Sequence, residues 1–322
     1  MLELIRGLHN IRPSHRGCVV TIGTFDGIHH GHQMLIHHLC AKSIELQVPS
    51  LLVTFEPTPT EYFRGEAVPA RLTRFREKFR LLEETELDRV MCIPFNERTR
   101  SISADEVIEQ FLVELLDVQY LVVGDDFRFG KNAEGDYAML KTAGDKYHFG
   151  VSHMGTLQFE HERISSTRIR QALHEGDFTL AEKLLGRPYF MMGPVVEGQH
   201  LGTKLGTPTA NIRLQRYKSA LEGVFAVVVE GEGFDKPYEG SAYVGTRPTI
   251  DGVEPLLEVH LFDFSDDIYG KRLKVSFLEQ FRGDVKFESM DELRHQIQLD
   301  LENTRSWFAE NRHLHKLLRK VN

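Results

Sequence analysis

The stretch Thr21-Ile22-Gly23-Thr24-Phe25-Asp26-Gly27-Ile28-His29-His30-Gly31-His32 follows the apolar run Cys18–Ile22 and precedes Met34, Leu35, Ile36, Leu39 and Ala41, whose pattern suits a helix. A strand, a glycine-marked turn and a helix start therefore meet here. Unpaired backbone N–H groups at a helix start attract anions. Glycines without a Cβ let the chain turn tightly and come close to a ligand. His29 and His32 can donate to phosphate oxygens and offset the charge that builds as a phosphoanhydride breaks. The arrangement suits a triphosphate. HxxH spacing also suits a metal, but no nearby Cys or Glu completes a ligand set. His37 and His38 read as helix surface. An isolated HxGH is as often a solvated helix start; a preceding strand and GTFDG make the signal strong.

Working outward, strand-like runs recur at Val19–Ile22, Leu51–Phe55, Val90–Ile93 and Leu121–Val123, with helical patterns between them. One helical stripe is Val107, Ile108, Phe111, Leu112, Leu115 and Leu116, opened by a capping box of Ser103 with Glu106. Alternation of this kind predicts a mostly parallel sheet covered on both faces, with ligands bound beyond the carboxyl ends of the strands. Glu56-Pro57-Thr58-Pro59 and Gly124-Asp125-Asp126-Phe127-Arg128-Phe129-Gly130 stand at two such ends. Asp126 suits a ribose hydroxyl, a flavin substituent or Mg²⁺, and equally a turn cap. Arg71, Arg74, Arg76, Lys78 and Arg80 read as a solvated helix face. In Arg163-Ile164-Ser165-Ser166-Thr167-Arg168-Ile169-Arg170, one hydroxyl suffices to cap the helix through Ile169 and Leu173. Three hydroxyls among three arginines make a second phosphate-binding corner.

The chain has 322 residues, enough for two domains, with 41% hydrophobic and 27% charged residues, as in ordinary soluble proteins. A net charge of -8 argues against a nucleic-acid partner. Cys18, Cys40 and Cys92 share no CxxC spacing and read as reduced, mostly buried thiols. The N-terminus lacks the apolar core of a signal peptide, and no stretch approaches a membrane span. The expectation is a cytoplasmic protein with no membrane partner, monomeric or weakly homo-oligomeric.

GTFDGIHHGH, VVGDDFRFG and RISSTRIR resemble the adenylyltransferase module of bacterial bifunctional riboflavin kinase/FAD synthetases, within the HxGH nucleotidyltransferase superfamily. By that resemblance His29 and His32 contact phosphate and act in catalysis. Gly23, Phe25, Arg163, Ser166 and Thr167 complete the ATP-binding set, and Asp126 is a substrate-contacting position. Thr58 replaces a His that many relatives carry between the prolines. The implied reaction is attack of an FMN phosphate oxygen on the α-phosphorus of ATP. That nucleophile is already ionised at neutral pH, so positioning and charge neutralisation suffice.

Thr179 with Glu182 reads as a capping box for a short helix through Ala181, Leu184 and Leu185, which Gly186-Arg187-Pro188 stops. The boundary is placed there, giving residues 1–186 and 187–322. Beyond it come strands at Met192–Val196, Val224–Glu230, Ser241–Gly245, Leu256–Phe262 and Leu273–Leu278, with Gly and Pro turns that suggest an antiparallel barrel. A last helix, capped by Ser289 with Glu292, carries Met290, Leu293, Ile297, Leu301 and Phe308 on one side to pack on the barrel. The expected fold is thus α/β: a Rossmann-like nucleotidyltransferase domain, then an antiparallel β-barrel with a C-terminal helix.

Gly198, Gly202 and Gly206 allow a flap over a nucleotide, or simply a flexible hairpin; no Walker A loop is present. In Pro208-Thr209-Ala210-Asn211, the Thr209 hydroxyl and the Asn211 amide oxygen are hard ligands suited to Mg²⁺. Alternation puts Glu258 and His260 on one face and Leu257, Val259 and Leu261 on the other, leaving Glu258 as an exposed side chain or a general base. Asp263-Phe264-Ser265-Asp266-Asp267 lacks the central Gly and terminal Glu of a calcium loop.

This half resembles the riboflavin kinase module of the same family, a six-stranded barrel. The resemblance makes Thr209 and Asn211 the Mg²⁺ and ATP pair, with Gly198, Gly202 and Gly206 as further ATP-binding positions. Glu258 becomes the base for the ribityl 5′-hydroxyl, and Arg282 a flavin-site arginine. Asp284 stands where relatives have Glu, and Thr207 where they carry an aromatic residue. The reading is one chain making FMN from riboflavin and ATP, then FAD from FMN and ATP, with Mg²⁺. Two alternatives are an adenylyltransferase for a pantetheine or nicotinate acceptor, and a flavin-binding sensor or carrier with decayed sites. PTAN with a kinase-like barrel disfavours the first, which has no use for a second phosphoryl-transfer domain, and intact HxGH, ISSTxxR and PTAN motifs disfavour the second.

Overall fold

A computed structural model describes residues 1–198, 207–249 and 252–311. They form two compact units, residues 1–69 with 73–166, and residues 70–72 with 167 onward.

The first unit is a sheet of six strands: β1 (Glu3–Arg6), β2 (Val19–Ile22), β3 (Ser50–Phe55), β4 (Arg89–Ile93), β5 (Tyr120–Gly124) and β6 (Gly150–Met154). Their order is β1-β4-β3-β2-β5-β6 and every pairing is parallel. Val19, Val20, Leu51, Leu52, Val53, Leu121, Val122 and Val123 are fully buried, as strands covered on both faces require. The chain steps outward from β2 to β3 and β4, then returns to lay β5 on the other side of β2. The carboxyl ends of β2 and β5 therefore flank a topological switch point, where doubly wound sheets bind ligands.

Helices α1 (His30–Leu46), α2 (Pro59–Arg64), α3 (Phe75–Glu83), α4 (Glu97–Arg100), α5 (Ala104–Glu106) and α6 (Tyr137–Tyr147) belong to this unit. The Ser103–Glu106 capping box forms as expected, but the turns after α5 widen into a π-helix over Val107–Leu115. Leu116 N–H then donates to the Phe111 carbonyl five residues back. Thr58 caps α2, and its Oγ1 and N–H both bond Glu61. The solvated arginine and lysine face is corrected in part. Arg76 and Arg80 are exposed, whereas Lys78 is 1% exposed with Glu77 buried beside it. Phe75, Phe79, Leu81 and Leu82 share that short helix, and the inward turn carries Lys78 with them.

The second unit opens with α7 (Ser166–His174), of which Thr167 onward belongs to it, and α8 (Phe178–Leu185). The expected Thr179 cap is corrected: Asp177 caps α8, its carboxylate accepting from Leu180 N–H at 2.8 Å, and Thr179 lies inside the helix. A carboxylate is the stronger cap and favours the helix N-terminus. Gly186 ends α8 in the left-handed conformation, at φ 77°.

Six strands then close a barrel in the order β10-β13-β12-β11-β14-β9. They are β9 (Phe190–Val196), β10 (Ala210–Arg213), β11 (Gly223–Gly231), β12 (Tyr238–Thr249), β13 (Gly252–Leu261) and β14 (Arg272–Arg282). All six pairings are antiparallel. Helix α9 (Met290–Glu310) packs on β11, β12 and β14, capped by Ser289. Of the expected stripe, Phe308 is buried against Ala226 and Val228 with Leu301 packed beside it, whereas Met290 is 52% exposed and the buried side also takes in Asp300 and Thr304. Thr304 finds hydroxyl and carbonyl partners there, so polar residues sit in the contact without loss. Cys18 and Cys40 are buried, Cys92 is half-buried, and none forms a disulfide.

Candidate active sites

In the first unit, the link from β2 to α1 is held in a strained form. Phe25 and Ile28, both buried, have φ of 49° and 42°, and Gly27 between them has φ 88°. Left-handed backbone at bulky residues costs of order 1–3 kcal/mol each and persists only where the surroundings hold it. Asp26 is one such hold: its Oδ1 accepts from Thr73 N–H at 2.9 Å, while Thr73 Oγ1 accepts from Gly27 N–H at 2.8 Å. Gly23 leaves room for the Phe25 ring, which would stand 3.0 Å from a Cβ there.

His29 caps α1, its Nδ1 accepting from His32 N–H at 3.4 Å. A neutral His29 therefore carries its proton on Nε2, as a donor. The two imidazoles stack with centroids 3.7 Å apart and planes 17° from parallel. Gly31 makes space for this, since a Cβ there would lie 3.3 Å from the His29 ring. His32 Nδ1 is enclosed with no hydrogen-bond partner. Burial first, and then His29, Lys78 and Arg163, hold the His32 imidazolium well below its usual range.

The second corner lies against the first. Ser166 Oγ donates to the Asp26 carbonyl at 2.9 Å, and the Ile164 carbonyl is 3.9 Å from the position a Gly31 Cβ would take. Arg163, on the two-stranded hairpin of β7 (Gln158–Phe159) and β8 (Glu162–Arg163), donates through Nη2 to Asp126 Oδ2 at 2.7 Å. Thr156 Oγ1 donates to Asp125 at 2.8 Å from the same side. His29, His32, Arg163, Ser166 and Asp126 thus gather at the carboxyl ends of β2 and β5. Thr167 stands in the first turn of α7, the helix that begins at Ser166.

In the second unit, register sets the geometry. Asn211 on β10 pairs with Glu258 on β13, and Glu258 with Tyr243 on β12. Residues paired across antiparallel strands share a face. Leu257, Val259, Ala242, Val244 and Ile212 are buried within the barrel, so the row Asn211, Glu258, Tyr243 faces outward. Thr209 lies just before β10. Gly198 backs this row: a Cβ there would stand 2.1 Å from Asn211 Nδ2. Gly202 and Gly206 lie outside the described residues. Tyr243 donates to Asp284 Oδ1 at 2.9 Å, and burial together with that carboxylate pushes its phenol pKa well up. Arg282 is held by Asp300 of α9, with Nη2 to Oδ2 at 2.7 Å and Nε to Oδ1 at 3.1 Å, and its guanidinium lies 5.7 Å from the Phe287 ring.

Among known proteins, the FAD synthetase family model matches residues 11–168 and the riboflavin kinase model residues 185–308. The bifunctional riboflavin kinase/FMN adenylyltransferase of Pseudomonas fluorescens is 46% identical over 97% of this chain and 100% of its own length. The chain belongs to the bifunctional riboflavin kinase/FMN adenylyltransferase family. The Escherichia coli K12 member is 44% identical over 96% of this chain and 98% of its own. The crystal structure of a Streptococcus pneumoniae chain described as a macrolide-efflux protein shares 31% identity and a TM-score of 0.78, covering 95% of this chain and 99% of that one. That likeness carries the fold; the assignment to the family rests on the two models and the relatives.

Within this flavokinase/FAD synthetase chain, the sequence named the histidine pair and the Arg163–Thr167 segment, and missed the side chains that hold them. Thr73, Thr54 and Lys78 carry no motif. Tyr243 and Gly245 were also missed, although a Cβ at Gly245 would stand 2.2 Å from the Tyr243 hydroxyl. Among the described residues, no group of three or more His, Cys, Asp or Glu is arranged to hold a metal ion.

Proposed function

We propose that residues 1–186 carry adenylyl transfer and residues 187–322 carry riboflavin phosphorylation, each through the side chains named above. Supporting the first assignment is one observation above others: Ser166 Oγ bonded to the Asp26 carbonyl at 2.9 Å, which brings the two phosphate corners together. ATP lies across the start of α1, with its phosphates toward His29, His32, Arg163, Ser166 and Thr167 and the main chain at Gly23 and Phe25. An FMN phosphate oxygen attacks the α-phosphorus in line, and pyrophosphate leaves. Nε2–H of His29, the ring of His32, the Arg163 guanidinium and the α1 N–H groups offset the charge. Asp126 contacts substrate once Arg163 turns to phosphate; an exposed ion pair of this kind is worth at most about 1 kcal/mol and yields readily.

In the barrel, Glu258 takes the proton from the ribityl 5′-hydroxyl as that oxygen attacks the γ-phosphorus of ATP. Gly198, Gly202 and Gly206 accommodate the nucleotide, and Arg282 the flavin. The Thr209 hydroxyl and Asn211 amide oxygen fit Mg²⁺ by chemistry, as neutral hard oxygens, with Asn211 paired across the strands with the Glu258 carboxylate. When bound, Mg²⁺ supplies charge neutralisation to the phosphates. Riboflavin, FMN and ATP are the partners. We also read the chain as a cytoplasmic protein, monomeric or weakly homo-oligomeric, without nucleic-acid or membrane partners. The net charge of -8 supports this, and no described helix is long and apolar enough to cross a membrane.

Incubation with riboflavin, ATP and Mg²⁺, followed by chromatography, tests the assignment of both activities. FMN appears first and FAD follows, with ADP and pyrophosphate as co-products. Flavin bound without consumption of ATP would overturn it.

A further inference from the structure

Lys78 is among the largest side chains sealed in the protein, at 1% exposure. Its Nζ donates to the Thr24 carbonyl and, at 3.0 Å, to Thr54 Oγ1, itself fully buried at the end of β3. Thr54 Oγ1 also reaches the Thr24 carbonyl, at 3.4 Å. Thr24 immediately precedes Phe25, the first left-handed residue of the turn that delivers His29 and His32. A lysine reaching inward from α3 therefore ties the start of that turn to the neighbouring strand.

Burying a lysine is costly, and the hydrogen bonds to the Thr24 carbonyl and the Thr54 hydroxyl are among the contacts that offset that cost. Its charge is also close enough to act on His32. In a site shielded from water such a charge acts strongly, and it needs no reorganisation as phosphate charge builds.

We propose that Lys78 is a positioning residue of the adenylyl-transfer site: it clamps the Thr24 carbonyl so that the Phe25–Ile28 turn presents His29 and His32, and its ammonium supports the charge gathering there. The proposal rests on the reading of this unit as the adenylyltransferase. The role belongs to the transition state more than to ground-state binding, so its loss falls on kcat.

The full chain provides its own control, because phosphorylation of riboflavin resides in the other unit. Lys78→Met is measured for FAD formation from FMN and for FMN formation from riboflavin, at 25 °C and at 10 °C, with folding followed by circular dichroism. The expected result is a kcat for FAD formation at least ~50-fold below native at both temperatures. KM for ATP is expected within about threefold, with the kinase unchanged. A native-like kcat overturns the proposal. So does a deficit that vanishes at 10 °C in the folded variant, which marks a purely structural role. Should Lys78→Met not fold at either temperature, Thr54→Val tests the clamp from its other side at constant volume. A fall of about 3- to 10-fold in kcat, with the kinase intact, supports the proposal; no change overturns it. His29→Ala separates the two levels: if it abolishes FAD formation while Lys78→Met does not, only the role of Lys78 fails.

Discussion

The imidazoles of His29 and His32 lie stacked, 3.7 Å between centroids, at the start of α1, with His32 Nδ1 enclosed and unpartnered. Two rings this close do not both carry a proton cheaply. Burial and the neighbouring ring disfavour a second proton on His32.

A pH dependence of stability follows. Burial and the neighbouring His29, Lys78 and Arg163 depress the folded-state pKa of His32 below its ordinary 6.5. The unfolded chain therefore binds a proton that the folded chain refuses, and stability falls as pH drops below that ordinary value. The melting temperature of the first unit is expected to decline between about pH 7.5 and 5.5, and His32→Gln to flatten the decline. An identical slope in the variant would show that His32 does not titrate on unfolding.

Gly198 is fixed by what it faces. A Cβ there would come 2.1 Å from Nδ2 and 2.5 Å from Cγ of Asn211, so Gly198→Ala must turn the amide away from its place beside Glu258. Displacing a positioning group by about 1 Å can cost on the order of 10²-fold in rate. FMN formation from riboflavin is expected to fall by that order while FAD formation from FMN is unchanged. Steady-state rates of the two half-reactions on one preparation decide the matter.

Arg282 is expected to depend on Asp300, which is 5% exposed and grips the guanidinium with both oxygens. Asp300→Ala leaves the arginine without its counter-charge and loosens α9 from β14. The expected costs are about 2 kcal/mol in stability of the barrel unit, read by urea denaturation, and a raised KM for riboflavin. A variant with native stability and native KM would remove Arg282 from the flavin site as assigned.

Much of this was legible because periodic burial and helix starts leave local signatures. Val19–Ile22 and Leu121–Val123 lie next to each other in the sheet, and the turns that follow them carry the histidines and Asp126. Distant tertiary partners were not legible. Lys78 looked solvated because a charge run on a short amphipathic helix usually is, whereas its partners inside include the Thr24 carbonyl and the Thr54 hydroxyl, 54 and 24 residues away. β10, four residues long, begins inside the PTAN motif and went unseen because so short a strand has no period of its own. Asp177 and Thr179 competed for one helix start, and the carboxylate prevailed. The Arg282–Asp300 pair joins a strand to a helix across 18 residues, a spacing that no local pattern announces.

The central claim is that one polypeptide holds two separate ATP-consuming sites, one served by His29 and the other by Glu258. Its most direct test is the flavin products of His29→Ala, of Glu258→Ala, and of an equimolar mixture of the two chains, each given ATP and Mg²⁺ with riboflavin or FMN. His29→Ala should stop at FMN. Glu258→Ala should still turn FMN into FAD while phosphorylating riboflavin at least ~10²-fold more slowly. The mixture should carry riboflavin through to FAD. FAD made from riboflavin by His29→Ala alone, or FMN adenylylation lost in Glu258→Ala, would contradict the account.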